Sequence, residues 1–304
     1  MLKFTGRPSE KVVVGPKPGA DFASIRVGDG FMLVSADPVT GVADSVGEYA
    51  VNANANDIAT SGNRPQFMES VILLPPGSEP RDIRRVARQM HVAAKRLGIA
   101  IVGGHTEVTP GLDHPVVMAM AFSFVKDYIS SGDARTGDSI MMTKTAGLEG
   151  TAILAGRARP EVGRRFLSRL SVVDEAEAAF ATGKVRAMHD CTEGGILGAA
   201  FEMALASGTG FVMDRRLVPV APETRSTCEK LSIDPLRLIG SGSLLLAVEK
   251  GEEGRVSRAL GPHCKATKVG EFVKGKRTLV EIGGRETEVE EAPEDELWRV
   301  LGRG

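Results

Sequence analysis

Four aspartates stand among small residues and turn formers: Gly19-Ala20-Asp21-Phe22-Ala23, Ser35-Ala36-Asp37-Pro38, Asn54-Ala55-Asn56-Asp57-Ile58-Ala59 and His189-Asp190-Cys191-Thr192-Glu193-Gly194-Gly195. Small neighbours leave room beside a carboxylate. A hard cation such as Mg²⁺ needs oxygen ligands and usually bridges a few carboxylates to substrate phosphates, chemistry that several separated aspartates at strand ends can supply. Taken singly, each also suits a turn or a helix cap. Asp57 makes the sharper case as a ligand, because it follows an asparagine-rich turn and precedes the apolar Ile58-Ala59, where an ionised carboxylate is costly unless paired or metal-bound.

Glycine pairs mark two further places. Gly103-Gly104-His105-Thr106-Glu107 follows directly on the apolar run Ile99 to Val102, which puts permissive backbone and two potential ligands at a strand's C-terminal end. Paired glycines there let a phosphate or another chain come close. His189 and Asp190 end another apolar run, and Gly194-Gly195 open the helix after it, so its free N–H groups can receive an anion or Thr192 and Glu193 can cap it. Gly240-Ser241-Gly242-Ser243 reads equally as a phosphate-facing turn or a plain loop. Neither a G-x-x-x-x-G-K-[ST] loop nor a G-x-G-x-x-G between strand and helix occurs, which argues against P-loop and dinucleotide-binding enzymes.

The elements that must position these residues follow from apolar patterning. Strands are expected at Phe31 to Asp37, Ser70 to Leu74, Ile99 to Val102, Pro115 to Val125 and Ser139 to Thr143. Ile83, Val86, Ala87, Met90, Ala94 and Leu97 recur at helical spacing, with arginines filling a face that is solvated or meets phosphate or RNA. In the second half, strands are expected at Val185 to Met188, Phe211 to Met213 and Leu244 to Val248, with helices at Gly194 to Ala206 and Glu252 to Leu260. Thr267 to Val273 and Thr278 to Ile282 read as a hairpin around Lys274-Gly275-Lys276. Several strand pairs are joined too tightly for parallel crossovers. The pattern predicts an α/β fold with mixed, α+β-like sheets in two domains, residues 1–145 and 146–304.

With 304 residues, 42% hydrophobic and 25% charged, the chain can bury a core in each half. Lys and Arg total 38 against 39 Asp and Glu, so no global charge draws it to nucleic acid or anionic lipid. No apolar run approaches a membrane span and the N-terminus lacks a signal-peptide core, so the expected location is cytoplasmic. Cys191, Cys228 and Cys264 lie far apart with no C-x-x-C pair, consistent with buried or indifferent thiols.

Five spaced motifs, Gly19 to Ile25, Asp37-Pro38, Asn56-Asp57-Ile58-Ala59, Gly103-Gly104-His105-Thr106-Glu107 and His189 to Gly195, resemble the superfamily of AIR synthase, thiamine-monophosphate kinase, selenophosphate synthetase and the hydrogenase-maturation protein HypE. The likeness runs from about Val12 to Val273 and is nearest to HypE, through Asn-Asp-Ile-Ala and His-Asp-x-Thr-Glu-Gly-Gly. It implies two α/β domains, a homodimer formed through the N-terminal sheet, and ATP bound with Mg²⁺ between the domains. By that likeness Asp21, Asp37, Asp57 and Asp190 match the metal positions. Gly103, Gly104, His105, Thr106, Glu107, Thr192, Glu193 and Gly194 join them in holding the nucleotide, and ATP phosphorylates a small-molecule substrate or activates its dehydration.

The sequence departs from HypE where HypE has Asp-Thr-Lys and Ser-Glu-Gly, for which this chain has His105-Thr106-Glu107 and Ser241-Gly242-Ser243. HypE also carries a cysteine in its C-terminal tail, whereas the last cysteine here is Cys264, so no carboxamide chemistry on a terminal thiol is expected. The alternative reading is a non-catalytic nucleotide-binding subunit of a maturation or biosynthetic complex.

Overall fold

A computed structural model describes residues 4–40 and 44–302. The first half contributes β1 (Val12–Val14), β2 (Ala23–Val27), β3 (Gly30–Val39), α1 (Val46–Ala59), β4 (Phe67–Leu74), α2 (Pro80–Leu97), β5 (Ala100–Val108) and β6 (Val116–Val125). These strands make a six-stranded sheet in the order β1-β2-β3-β6-β4-β5, antiparallel except for the β4/β5 pair. The second half supplies β7 (Ser139–Thr143), α3 (Leu148–Ala158), α4 (Pro160–Leu167), α5 (Val173–Phe180), β8 (Val185–Asp190), α6 (Gly195–Ser207), β9 (Gly210–Asp214), α7 (Pro222–Leu231) and β10 (Leu244–Val248). It continues with α8 (Glu253–Leu260), β11 (Ala266–Val273), β12 (Arg277–Val280), β13 (Glu286–Glu288) and α9 (Glu296–Leu301). Its seven-stranded sheet runs β13-β12-β9-β11-β7-β10-β8. The fold is therefore α/β with two mixed sheets.

α1 is the element on which both halves meet. It packs on β3, β6 and α2 of the first half and on α5 and β8 of the second. Val46, Ala50, Val51, Ala55, Ile58 and Ala59 are all buried around it. A helix apolar on every side belongs inside a protein, and this one also carries Asn52, Asn54, Asn56 and Asp57 into the interior. The asparagine-rich turn expected before Asp57 is thus the helix itself. The propensity of asparagine for turns is outweighed here by tertiary hydrogen bonds. Asn56 Nδ2 donates to Leu170 O at 2.8 Å while its Oδ1 accepts from the Val172 N–H at 2.9 Å, tying α1 to the segment that leads into α5.

Three other expectations need correction. Gly103 to Glu107 do not follow a strand but lie inside β5, which runs to Val108 at the sheet edge. Thr278 does not fold back on β11 as a hairpin. β12 pairs parallel with β9, and β9 lies between β11 and β12, because the Lys274-Gly275-Lys276 turn carries the chain across a neighbouring strand. On α2 the buried stripe is Val86, Met90, Ala93, Ala94 and Leu97, while Ile83 and Ala87 face solvent with the arginines. Among the described residues no helix is long and apolar enough to cross a membrane.

Replacing Asn56 with Ala strands a buried carbonyl and a buried N–H at once. Urea unfolding should show a loss of about 2–4 kcal/mol with an unchanged denaturant slope, and a loss below about 0.5 kcal/mol would mean that water replaces the clamp.

Candidate functional site

Both sheets deliver carboxylates to one cavity of about 230 Å³. Asp21 comes from the turn before β2, Asp37 from β3, Asp57 from the last turn of α1 and Asp190 from the end of β8. Thr192 and Glu193 line it from the turn into α6, and Glu202 reaches it from α6 itself. Two of the four positions are fixed by neighbours. Ser35 Oγ donates to Asp57 Oδ2 at 2.5 Å, and Asn54 fixes the Asp37 backbone by accepting its N–H at 2.8 Å and donating Nδ2 to its carbonyl at 3.2 Å. Gly19 is required by a close approach. A Cβ there, at φ +74°, would sit 2.6 Å from the Glu202 carbonyl oxygen, so the loop that carries Asp21 can lie flat on α6.

Electrostatics mark this cluster as incomplete without a counter-charge. Burial first, and then Asp190, Asp37 and Asp21, push the Asp57 carboxyl well above its usual range, while the Ser35 hydroxyl pulls it down. Asp190 is raised by burial and by Asp21, with His189 acting in the opposite direction. Asp21 Oδ2 and Asp190 Oδ2 are sealed from solvent and have no hydrogen-bond partner among the described residues. Orphaned carboxylate oxygens in an all-oxygen setting suit a hard divalent cation.

His189 lies close to the same oxygens, since ligand atoms of Asp21, His189 and Asp190 fall within 4.8 Å of one another. Both nitrogens face carboxylates: Nδ1 lies 2.5 Å from Asp21 Oδ1 without hydrogen-bond geometry, and Nε2 lies 2.7 Å from Glu202 Oε2. Burial disfavours the charged imidazole, but Asp21 and Glu202 outweigh it and hold its pKa well above the ordinary value. His189 therefore positions Asp21 beside Asp190. Cys191 beside it is no nucleophile. Burial, Asp190 and Asp21 raise its thiol well above the usual range, and burial pushes Cys228 and Cys264 up to about 12.

The remaining sequence candidates lie elsewhere or serve the backbone. Gly103, Gly104, His105, Thr106 and Glu107 are exposed on β5 and do not line this cavity within one chain. His105 Nε2 lies 3.2 Å from Glu107 Oε2, and Thr109 Oγ1 donates to Glu107 Oε1 at 3.0 Å. The close approach that Gly104 permits is that of β4: a Cβ there would stand 1.9 Å from the Ser70 carbonyl oxygen, beside the register shift that joins the two strands. At the α6 N-terminus three amides already have partners in the protein. Gly194 N–H donates to Asp295 Oδ2 at 2.7 Å, Gly195 N–H to Thr192 O and Leu197 N–H to Leu236 O. Gly195 is glycine because the Leu236 and Leu238 carbonyl oxygens press against it. Gly240 to Ser243 form a structural loop, with Gly242 packed on Leu170 and Ser243 Oγ donating to Thr145 O at 2.7 Å.

Sequence reasoning missed Glu149, Glu202 and Asp295. Glu149 sits between Gly147 and Gly150 at the start of α3, the small-residue setting that marked the four aspartates. Burial raises its carboxyl to about 7, with Glu193 and Asp295 adding to the rise and the Ser241 hydroxyl opposing it.

Comparison with known proteins matches each half of the chain to one domain. Residues 19–125 match the N-terminal domain of AIR synthase related proteins, and residues 135–283 match their C-terminal domain. Carbamoyl dehydratase HypE of Cupriavidus necator is 27% identical over 281 residues, covering 88% of this chain and 80% of that protein. The crystal structure of Escherichia coli HypE superposes with a TM-score of 0.77 at 26% identity, over 86% of either chain. A structure of HypE in complex with ATP gives a TM-score of 0.75 at 21% identity over 96% of this chain and 90% of the other.

Glu149 sets a pH test. Its proton is held more tightly in the folded chain, so the stability it contributes is present at acid pH and lost as pH rises from its ordinary value of 4.5 through about 7. Glu149→Gln should remove about 1–3 kcal/mol of that decline between acid and mildly alkaline pH, read as thermal melts across the range. Parallel wild-type and variant curves would place Glu149 in contact with water instead.

Proposed function

The chain belongs to the AIR synthase-related family, and from that premise we propose that it is an ATP- and Mg²⁺-dependent enzyme that phosphorylates a small substrate, or dehydrates it by phosphorylating an amide-like oxygen. The observation that carries the reading is the convergence of Asp21, Asp37, Asp57 and Asp190 on one cavity, with buried oxygens left unpartnered. These four carboxylates would hold the metal, which when bound supplies the positive charge that phosphate oxygens require. In phosphoryl transfer the protein's task is chiefly to position groups and neutralise charge. Ser35 and Asn54 keep Asp57 and Asp37 in place, and His189 keeps Asp21 turned towards Asp190. That relatives include an ATP complex of HypE supports the nucleotide.

The same reading includes a homodimer. Along β6, Val117, Ala119, Ala121 and Ser123 are buried, while Met118, Met120, Phe122 and Phe124 point to the opposite face. Phe67 and Val71 of β4 and Met32 and Val34 of β3 stand opposite them in register on that face. Apolar surface of this extent on a sheet needs cover, and a second copy supplies it while bringing the exposed β5 edges into an interface.

Calorimetry should detect ATP binding with Mg²⁺ and none with chelator, since the carboxylates alone repel phosphates. Equal affinity in both conditions would defeat the reading. Asp57→Asn should weaken Mg²⁺-ATP at least about tenfold yet stabilise the nucleotide-free fold at neutral pH, because it removes a carboxylate that burial disfavours. A variant that loses stability but binds normally would make Asp57 a structural group. ADP release measured with a metabolite pool separates an enzyme from a subunit that only binds nucleotide. Light scattering should give a dimer that Phe124→Glu converts to monomer, and a monomeric wild type at micromolar concentration would exclude the interface.

A further inference from the structure

A second cavity, of about 580 Å³, opens between the start of α1 and the α3–α4 pair. α3 and α4 cross closely because Gly156 and Gly163 face each other there: a Cβ on Gly156 would come 3.1 Å from the Gly163 Cα. Each glycine is followed by an arginine, and the exposed Arg157 and Arg164 both line the cavity. Neither guanidinium has an ion-pair or hydrogen-bond partner among the described residues. That contrasts with Arg165 on the same helix, whose guanidinium pairs with Glu223. At the inner wall lies Tyr49, only 6% exposed, whose hydroxyl has no hydrogen-bond partner among the described residues. Its hydroxyl is available to donate to an acceptor in the cavity, which also holds two unpaired cations. Asp44 also lines the cavity, leaving two guanidiniums against one carboxylate and a net positive lining.

The position matters as much as the charge. Tyr49 lies eight residues before Asp57 on one unbroken helix, which places the two about 12 Å apart along its axis. Burial, followed by Glu149 and Glu48, raises the Tyr49 phenol and keeps it a donor. The arginine cavity and the carboxylate cavity thus lie at opposite ends of α1.

We infer that the cavity of Arg157, Arg164 and Tyr49 binds the anionic end, phosphate or carboxylate, of the small molecule whose other end is presented to the carboxylate cluster. This assignment rests on the phosphoryl-transfer reading for the far end only. The guanidiniums recognise oxygen anions by charge and paired donors, and the phenol adds a third hydrogen bond.

Calorimetry on the full chain, with inorganic phosphate and with succinate as probes, tests the site and separates the two anion classes. At least one probe should bind with millimolar affinity. The Arg157→Gln/Arg164→Gln double variant should weaken it at least about tenfold and Tyr49→Phe several-fold, with Mg²⁺-ATP affinity and melting temperature unchanged. Saturating Mg²⁺ with a non-hydrolysable ATP analogue should leave probe binding intact. No binding of either probe, binding indifferent to all three substitutions, or binding displaced by the analogue and lost in Asp57→Asn would overturn the assignment. Arginine-dependent probe binding in a protein that fails to bind Mg²⁺-ATP would instead remove the phosphoryl-transfer reading and leave the anion pocket standing.

Discussion

A helix enclosed on nearly every side must find partners for its polar groups, and in this molecule that constraint falls on α1, where Asn54 and Asn56 are paired and Asn52 Oδ1 is left without a partner among the described residues. Its asparagines do not tolerate burial passively. Asn54 holds the backbone of β3 at Asp37, and Asn56 holds the chain that leads into α5, so the matching of α1 registers one half of the molecule against the other. The carboxylate cavity exists because that registration is fixed. Asp21, Asp37 and Asp57 come from the first half and Asp190 from the second, and small shifts between the sheets would part them.

What the helix brings together is electrostatically unfavourable in isolation. Asp57 and Asp190 are buried near like charges, and His189 offsets only part of the repulsion because it also serves Glu202. Natural folds retain arrangements of this kind where a ligand repays the cost on binding. The sealed, unpartnered oxygens of Asp21 and Asp190 point the same way.

Much of this was legible in the sequence because small residues around an acid signal open space, and strand ends are readable from apolar runs. Asp21, Asp37, Asp57, Asp190, Thr192 and Glu193 do gather around one cavity. The glycine-rich segments were harder, since glycine admits a ligand, a neighbouring strand or a crossing helix alike. At Gly104, Gly195 and Gly242 the close neighbour is the chain's own backbone. Strand order was also out of reach: β12 and β11 look like a hairpin locally, and only the sheet shows β9 between them. Asp295 was invisible for a related reason, being far in sequence from the amide of Gly194 to which it bonds.

The placing of α1 also bears on how the chain is made. Synthesis proceeds from the N-terminus, and β6 completes the first sheet and covers one side of α1 well before β8 and α5 leave the ribosome. During that interval the apolar and amide groups of α1 destined for α5 and β8 face water. The nascent first half is thus a partly assembled template, and the burial of its helix is completed only by α5 and β8 of the second half.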